Sequence, residues 1–313
     1  MNTVEQRAVL TLCLMAAFAD GANSERERAE IRRIADTLGA EGAPDASAIY
    51  REVLLHKPDL ATVAAMIGQP EERQFAYEMA VCVCDADGAT SPAEREFLER
   101  LAQALGLDAG AAQAFTQEAD ALTGAPLGGY ALEHAIVAAV PAPAAELDRM
   151  ILNYSVLNGA LELLPQSLAS MAIIPLQMKM VYRIGKAHGF ELDRGHIKDL
   201  LATMGVGLTS QYLEQIGRKM LGGLLGKIGG GLLGGIGSAT TGAAFSFAST
   251  YALGHVAKRY YASGRTIDAA GLQQAFTSML GEAKQLQGRY AGQIAEQART
   301  LDVKRLLSAV RQP

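Results

Sequence analysis

The sequence predicts an all-α protein: a duplicated helix-pair bundle over residues 1–122, a linker over 123–147, a Gly-rich helical domain over 148–265, and an amphipathic C-terminal helix or tail over 266–313. Three observations carry that prediction. A stretch of about twenty residues recurs 67 positions further along; small residues occupy every fourth position from Gly222; and apolar residues beyond 266 recur near a period of three and a half.

Shifting the sequence by 67 positions lays Ala19-Asp20-Gly21-Ala22 over Ala86-Asp87-Gly88-Ala89. The match runs without a gap through Arg33 with Arg100, Ala35 with Ala102, Leu38 with Leu105 and Gly39 with Gly106. Such self-similarity is one supersecondary unit used twice. Each copy reads as an apolar helix, an Asp-Gly turn, and a second helix opened by Ser and closed by Leu-Gly. Ser24 with Glu27, and Ser91 with Glu94, have the spacing of a capping box, in which each side chain satisfies an orphan backbone donor. Pro92 falls at the first helical position, where its missing N–H is harmless, and Gly39 and Gly106 are natural C-caps. Further helices are predicted near 46–55, 58–67 and 108–121. The apolar run over 8–19 reads as the first helix and not as a signal peptide, because Glu5 beside Arg7 makes a poor basic leader.

The same turns point to a cation. Asp-Gly followed six residues later by Glu is the later half of a calcium-loop pattern, with Asp85, Asp87, Ser91 and Glu94 at its third, fifth, ninth and twelfth positions. The first position is Val83 in one copy and Ala16 in the other, where a calcium loop carries an acid, so an EF-hand is not expected. A different divalent site remains, with Asp20 and Glu27 of one turn meeting Asp87 and Glu94 of the other across a pseudo-twofold. Turns and caps alone are the alternative. On Asp20, Glu27, Asp87 and Glu94 the pattern resembles the tellurite-resistance TerB-like helical family over about residues 1–120. That resemblance implies a cytoplasmic all-α module of stress-response systems that binds divalent metal, and it does not imply catalysis. Glu25, Glu30 and Asp36 have no acidic equivalents in the second copy, which argues against symmetric binding.

Small residues and two prolines around 139–144 read as a linker. Beyond it, 150–164 is apolar apart from Glu162, and 163–178 is uncharged but contains Pro165 and Pro175. Each is short for a span, which suggests broken or re-entrant helices or a soluble helical core. The small residues Gly222, Gly226, Gly230, Gly234, Ser238, Gly242, Ser246, Thr250 and Gly254 alternate with Leu, Ile, Ala and Phe. Such a face lets helix backbones approach closely, as helices do in bilayers. No charge occurs over 228–254, a run of 27 residues, where about 20 cross the hydrocarbon core. Membrane association is expected, with Gly222, Gly226, Gly230, Gly234 and Gly242 as helix-association residues; a Gly-rich soluble core and a flexible linker are the alternatives. A four-residue step advances the stripe by about 40° in an α-helix, so a hairpin broken around 229–231 or 234–237 suits it better than one straight helix.

Charge divides along the same line. Residues 1–140 hold 10 Lys and Arg against 22 Asp and Glu, and 141–313 hold 18 against 11. Lys179, Arg183 and Lys186 at helical spacing, Arg218, Lys219 and Lys227 before the glycine run, and Lys258 and Arg259 after it mark a cytoplasmic face that holds anionic lipid. The segment 174–189, the glycine run and 251–255, in that order, resemble the YcjF-like bacterial membrane domain over about 148–265. That resemblance implies an uncharacterised domain often fused to, or encoded beside, GTPases. Gly226-Lys227 is no phosphate loop, because Ile228 follows it and Leu221 stands where the first glycine belongs.

In the tail, Leu272, Phe276, Met279, Leu286, Tyr290 and Ile294 form one apolar stripe, for packing on its own domain or dimerisation, with a partner groove or membrane surface as the alternative. Cys13, Cys82 and Cys84 lack zinc-type spacing and suit a reducing compartment. The five histidines are scattered, and no nucleophile elbow or dinucleotide fingerprint appears, so no catalytic or cofactor-binding residue is named. Asn153, Asn158, Glu162 and Gln177 are functional candidates inside apolar segments, with helix-to-helix hydrogen bonding as the alternative. The expected function is a non-enzymatic adaptor or sensor on the cytoplasmic face of the inner membrane. Its expected ligand is a divalent cation. Its expected partners are anionic lipid, a protein such as a GTPase or stress-response component, and a second copy of the chain, but no nucleic acid. A conditionally inserting protein that permeabilises or remodels bilayer, and an auxiliary membrane subunit of a GTPase, are the alternatives.

Overall fold

The computed structural model describes residues 2–21, 32, 46–56, 58–85, 90–124, 144–164, 171–204 and 234–311. Among them every regular element is a helix. The chain divides into two compact units, the first of Met1–Thr123 with Gly207–Ser238 and the second of Gly124–Val206 with Ala239–Pro313.

The first unit comprises α1 (Thr3–Ala17), α2 (Ala46–His56), α3 (Leu60–Ala64), α4 (Pro70–Cys84), α5 (Pro92–Leu105) and α6 (Ala109–Thr123). The predicted capping box is formed: the Glu94 amide donates to Ser91 Oγ at 3.2 Å, and the Ser91 amide to Glu94 Oε2 at 2.7 Å. Gly106 closes α5 at φ +66, a left-handed conformation that costs glycine little. A second box, Asn2 with Glu5, opens α1. The Ser24–Glu27 box and Gly39 lie outside the described residues. α3 is shorter than the predicted 58–67, because Asp59 caps it by accepting from the Thr62 amide at 2.9 Å.

Helices α1 and α4 begin and end 67 positions apart, and α2 and α6 also end 67 apart, at His56 and Thr123. α1 packs on α2 and α4, and α4 on α5 and α6. Val9, Leu12, Cys13 and Ala16 of α1 meet a core completed by Ala76, Met79, Ala80 and Val83 of α4, all at most 2 % exposed. Each large apolar side chain so buried stabilises the fold by roughly 1.5–3 kcal/mol relative to exposure.

The second unit comprises α7 (Ala144–Glu162), α8 (Ile173–Ala187), α9 (Arg194–Thr203), α10 (Gly234–Ala262), α11 (Ala269–Thr300) and α12 (Val303–Arg311). Pro175 sits in the first turn of α8, where no intrahelical donor is lost. α7 packs on α8 and α11. α10 runs antiparallel to α7, with Lys258 against Asp148, Thr250 against Asn158 and Ser246 against Glu162. No described helix is long and apolar enough to cross a membrane.

From Ala243 onward the small face of α10 is spent on α7. A Cβ on Gly254 would lie 2.6 Å from Ile151 Cγ2, and one on Gly159 of α7 would lie 3.2 Å from the Ala243 carbonyl. Gly222, Gly226 and Gly230 lie outside the described residues. Gly234 and Gly242 fall in α10, where side-chain surroundings are described only from residue 243. The α11 stripe likewise serves its own unit: Leu272 and Ile294 are buried, and Leu286 and Tyr290 pack toward Phe247.

Lys179 corrects the reading of a lipid-facing basic row. It is 2 % exposed, and its Nζ donates to the Val310 carbonyl of α12 at 2.8 Å. Burial lowers its pKa to about 8, with the positive charge of Arg194 adding to the effect. Helical spacing placed Lys179 on one face with Arg183 and Lys186, but the end of α12 covers that part of the face.

Gly254→Val should overpack the α7–α10 contact at about 1–3 kcal/mol. Hydrogen exchange over residues 144–162 is then expected to quicken by about 5- to 150-fold, and unchanged exchange would show that the close approach is dispensable.

Candidate functional site at the acidic turn

α4 ends at Cys84, and the next residue, Asp85, is fully buried at its C-cap. The chain returns at Thr90, 4 % exposed, one residue before the Ser91 cap of α5. The Thr90 hydroxyl lies between Asp85 Oδ1 and Asp120 Oδ1 of α6, at 2.7 Å from the latter. A hydroxyl has one proton to give, so joining two carboxyl groups requires one of them to be an acid that donates in turn. That acid is Asp85. Burial, with the adjoining Asp120 carboxylate and the charge of Glu94, raises its pKa to about 8 against the pull of Thr90. Its second oxygen, Oδ2, is buried with no hydrogen-bond partner.

The internal repeat supplies a control. Sixty-seven positions earlier, Phe18 stands where Asp85 does and Val53 where Asp120 does, and those two side chains line one groove at the end of α1, with Glu96 and Arg100 also on its walls. The same place in the fold therefore carries two apolar side chains in one copy and a carboxyl pair in the other. Replacing buried ionic groups by well-packed apolar ones is often neutral or stabilising, so the second copy carries acids for a reason other than stability.

Asp120 has a second exposure. With Tyr77, Leu98, Ala102, Ala112 and Thr116 it lines a groove of about 470 Å³ between α5 and α6. The Tyr77 hydroxyl and Thr116 Oγ1 meet in it at 2.9 Å. The carboxyl pair thus has one member sealed in the core and the other at a solvent-facing groove.

Of the four acids expected at the metal site, Glu27 and Asp87 lie outside the described residues. Asp20 and Glu94, one from each copy, both act electrostatically on the Cys84 thiol, whose pKa is raised first by burial and then by Glu94, Asp85, Cys13 and Asp20. Glu94 is also held by its cap. Among the described residues no group of three or more His, Cys, Asp or Glu is placed to hold a metal ion. Asp120 was not singled out from the sequence; its one signal is Thr116 four residues earlier on the same face of a helix otherwise rich in Ala and Gln. Asp193 and His196 form a local cap on α9, with His196 Nδ1 2.8 Å from Asp193 Oδ1.

Residues 2–119 match the model of a family described as a protein of unknown function (DUF533). That family is TerB-like. No curated protein and no solved structure matches the chain. The match ends one residue before Asp120 and does not extend into the second unit.

The raised pKa of Asp85 has a definite sign for stability. In the folded protein the group keeps its proton up to about 8, whereas unfolded it would release it near 3.8. Its contribution is present below pH 4 and is lost as pH rises toward and through 8. Hydrogen exchange over residues 70–84 should show wild type losing protection relative to Asp85→Asn between pH 5 and 8. A constant difference would show that Asp85 is ionised throughout.

Proposed function

We propose that the protein is a non-enzymatic adaptor or sensor whose TerB-like unit takes up a divalent cation at the acidic turn between α4 and α5. The observation that carries this reading is the carboxyl pair Asp85–Asp120, with a buried unpartnered Oδ2, at a place where the first copy has Phe18 and Val53. Carboxylate and hydroxyl oxygens are the ligands that hard divalent cations prefer. A cation at Asp85 replaces its proton, meets the unpartnered oxygen and offsets the repulsion between the two carboxyl groups. Asp20 and Glu94 bring further carboxylates to the same end of the unit, and Glu27 and Asp87 complete the set implied by the duplicated turns.

The second half attaches this module to the cytoplasmic face of the inner membrane, in the manner of a YcjF-like domain. Its 18 basic against 11 acidic residues over 141–313 support that placement. A protein partner such as a GTPase or stress-response component reads the occupied state.

Titration calorimetry of the full chain with manganese, calcium or magnesium at pH 7 should give binding accompanied by proton release, read from the dependence of heat on buffer ionisation. Asp85→Asn should abolish the proton release and weaken binding at least tenfold. The absence of heat with all three ions in wild type would end the cation reading. For the attachment, the full chain should stay with membranes through high salt and alkaline carbonate, and release by salt alone would remove integral anchoring.

A further inference from the structure

The groove between α5 and α6 has two unlike ends. A short turn at Gly106 joins the two helices, so the start of α5 lies beside the end of α6, as the contact of Thr90 with Asp120 shows. Arg95, Glu99 and Asp120 line the groove toward that end; Ala102, Leu107 and Ala112 line it toward the turn, with Leu98 between. Leu98, Ala102 and Ala112 are buried, so the floor is hydrocarbon. The hydroxyl groups of Tyr77 and Thr116 are spent on each other at 2.9 Å, and Thr116 Oγ1 also donates to the Ala112 carbonyl at 3.1 Å. The middle of the groove therefore offers an apolar wall.

The charged end carries both signs. The negative charge of Asp120 is among the causes that hold the proton on Asp85, and a carboxylate that accepts from Thr90 on Oδ1 keeps capacity for further donors. Arg95 and Glu99 are exposed, one turn apart, and their side chains make no hydrogen bond or ion pair with any described residue. The volume of about 470 Å³ lies in the range of small-molecule sites, about 300–1,000 Å³, which combine an apolar lining with a few orienting polar groups. The three charges discriminate among such molecules. A bare amine suits Asp120 and Glu99 but is opposed by Arg95; a carboxylic acid suits Arg95 but is opposed by two acids. A molecule that carries an ammonium and a carboxylate on one carbon matches both signs, and a guanidinium takes a carboxylate in a bidentate pair. Leu98 lies three residues beyond Arg95, about 4.5 Å along the helix, and Ala102 seven, about 10 Å. An aliphatic side chain fits that span.

We propose that the groove between α5 and α6 binds a free amino acid with an apolar side chain, its ammonium group at Asp120, its carboxylate at Arg95 and its side chain over Leu98 toward Ala102. The site goes beyond the cation reading and does not rest on it, although Asp120 serves both. An ammonium beside Asp120 offsets part of the charge that keeps the proton on Asp85, which ties uptake in the groove to the buried acid.

The test titrates the full chain with L-leucine, and with isopentylamine and isocaproate, which keep its carbon skeleton but lack one charge each. EDTA is present throughout, so the result stands apart from the cation reading, which calorimetry with metal ions decides. Methyl resonances of Leu98, Ala102 and Ala112 should shift saturably with leucine. Each single-charge analogue, and glycine, which lacks the side chain, should bind about tenfold more weakly or worse. Arg95→Gln changes an exposed side chain and should bring leucine down to the level of isopentylamine. The absence of a saturable shift with leucine overturns the proposal, as does equal binding of either analogue or an unchanged preference for leucine in Arg95→Gln.

Discussion

A polar group withdrawn from water must be met by another polar group or exact a cost comparable to a sizeable share of a domain's stability. Both units are organised by that constraint. At helix ends it is met locally: Asn2 with Glu5, Ser91 with Glu94, and Asp59 with Thr62 satisfy amides that the first turn of a helix leaves open. In the two interiors it is met across long stretches of sequence, and incompletely, at Asp85 in the first unit and at Asn158 and Gln177 in the second. The surrounding helices close tightly on apolar side chains, so these shortfalls stand out.

The duplication shows how such a place arises. Two copies of one helix pair impose the same backbone on residues 18 and 85, and on 53 and 120. One copy fills the space with Phe18 and Val53, and the other with two acids bridged by Thr90. The architecture tolerates either solution, which separates what the scaffold requires from what the individual site adds. A carboxylic acid that keeps its proton near neutral pH also makes that end of the bundle sensitive to whatever displaces the proton.

What could be read from the sequence was what is local or periodic. The Ser91–Glu94 box, the Pro92 start and the Gly106 stop depend on residues within a turn of one another, and the shift of 67 carries over to helix boundaries in the structure. The small residues of α10 announced close backbone approach, but spacing along one helix does not name the neighbour, and Gly254 meets Ile151 of α7. Lys179 was misjudged for the same reason: its position on a basic row is a property of α8 alone, whereas its acceptor lies 131 residues away. Asp120 is thirty residues from Thr90, and the packing of α6 on α4 and α5 unites them.

The link from Lys179 to Val310 sets an order of events during synthesis. The helices of the first unit up to Thr123 pack on one another, so they can begin to assemble while most of the chain is still being made. The second unit cannot finish its interior until residue 310 has emerged from the ribosome, and until then an ammonium group destined for the core waits without its carbonyl. The growing chain therefore passes through a long interval in which α7, α8 and α10 are available to whatever receives the nascent protein.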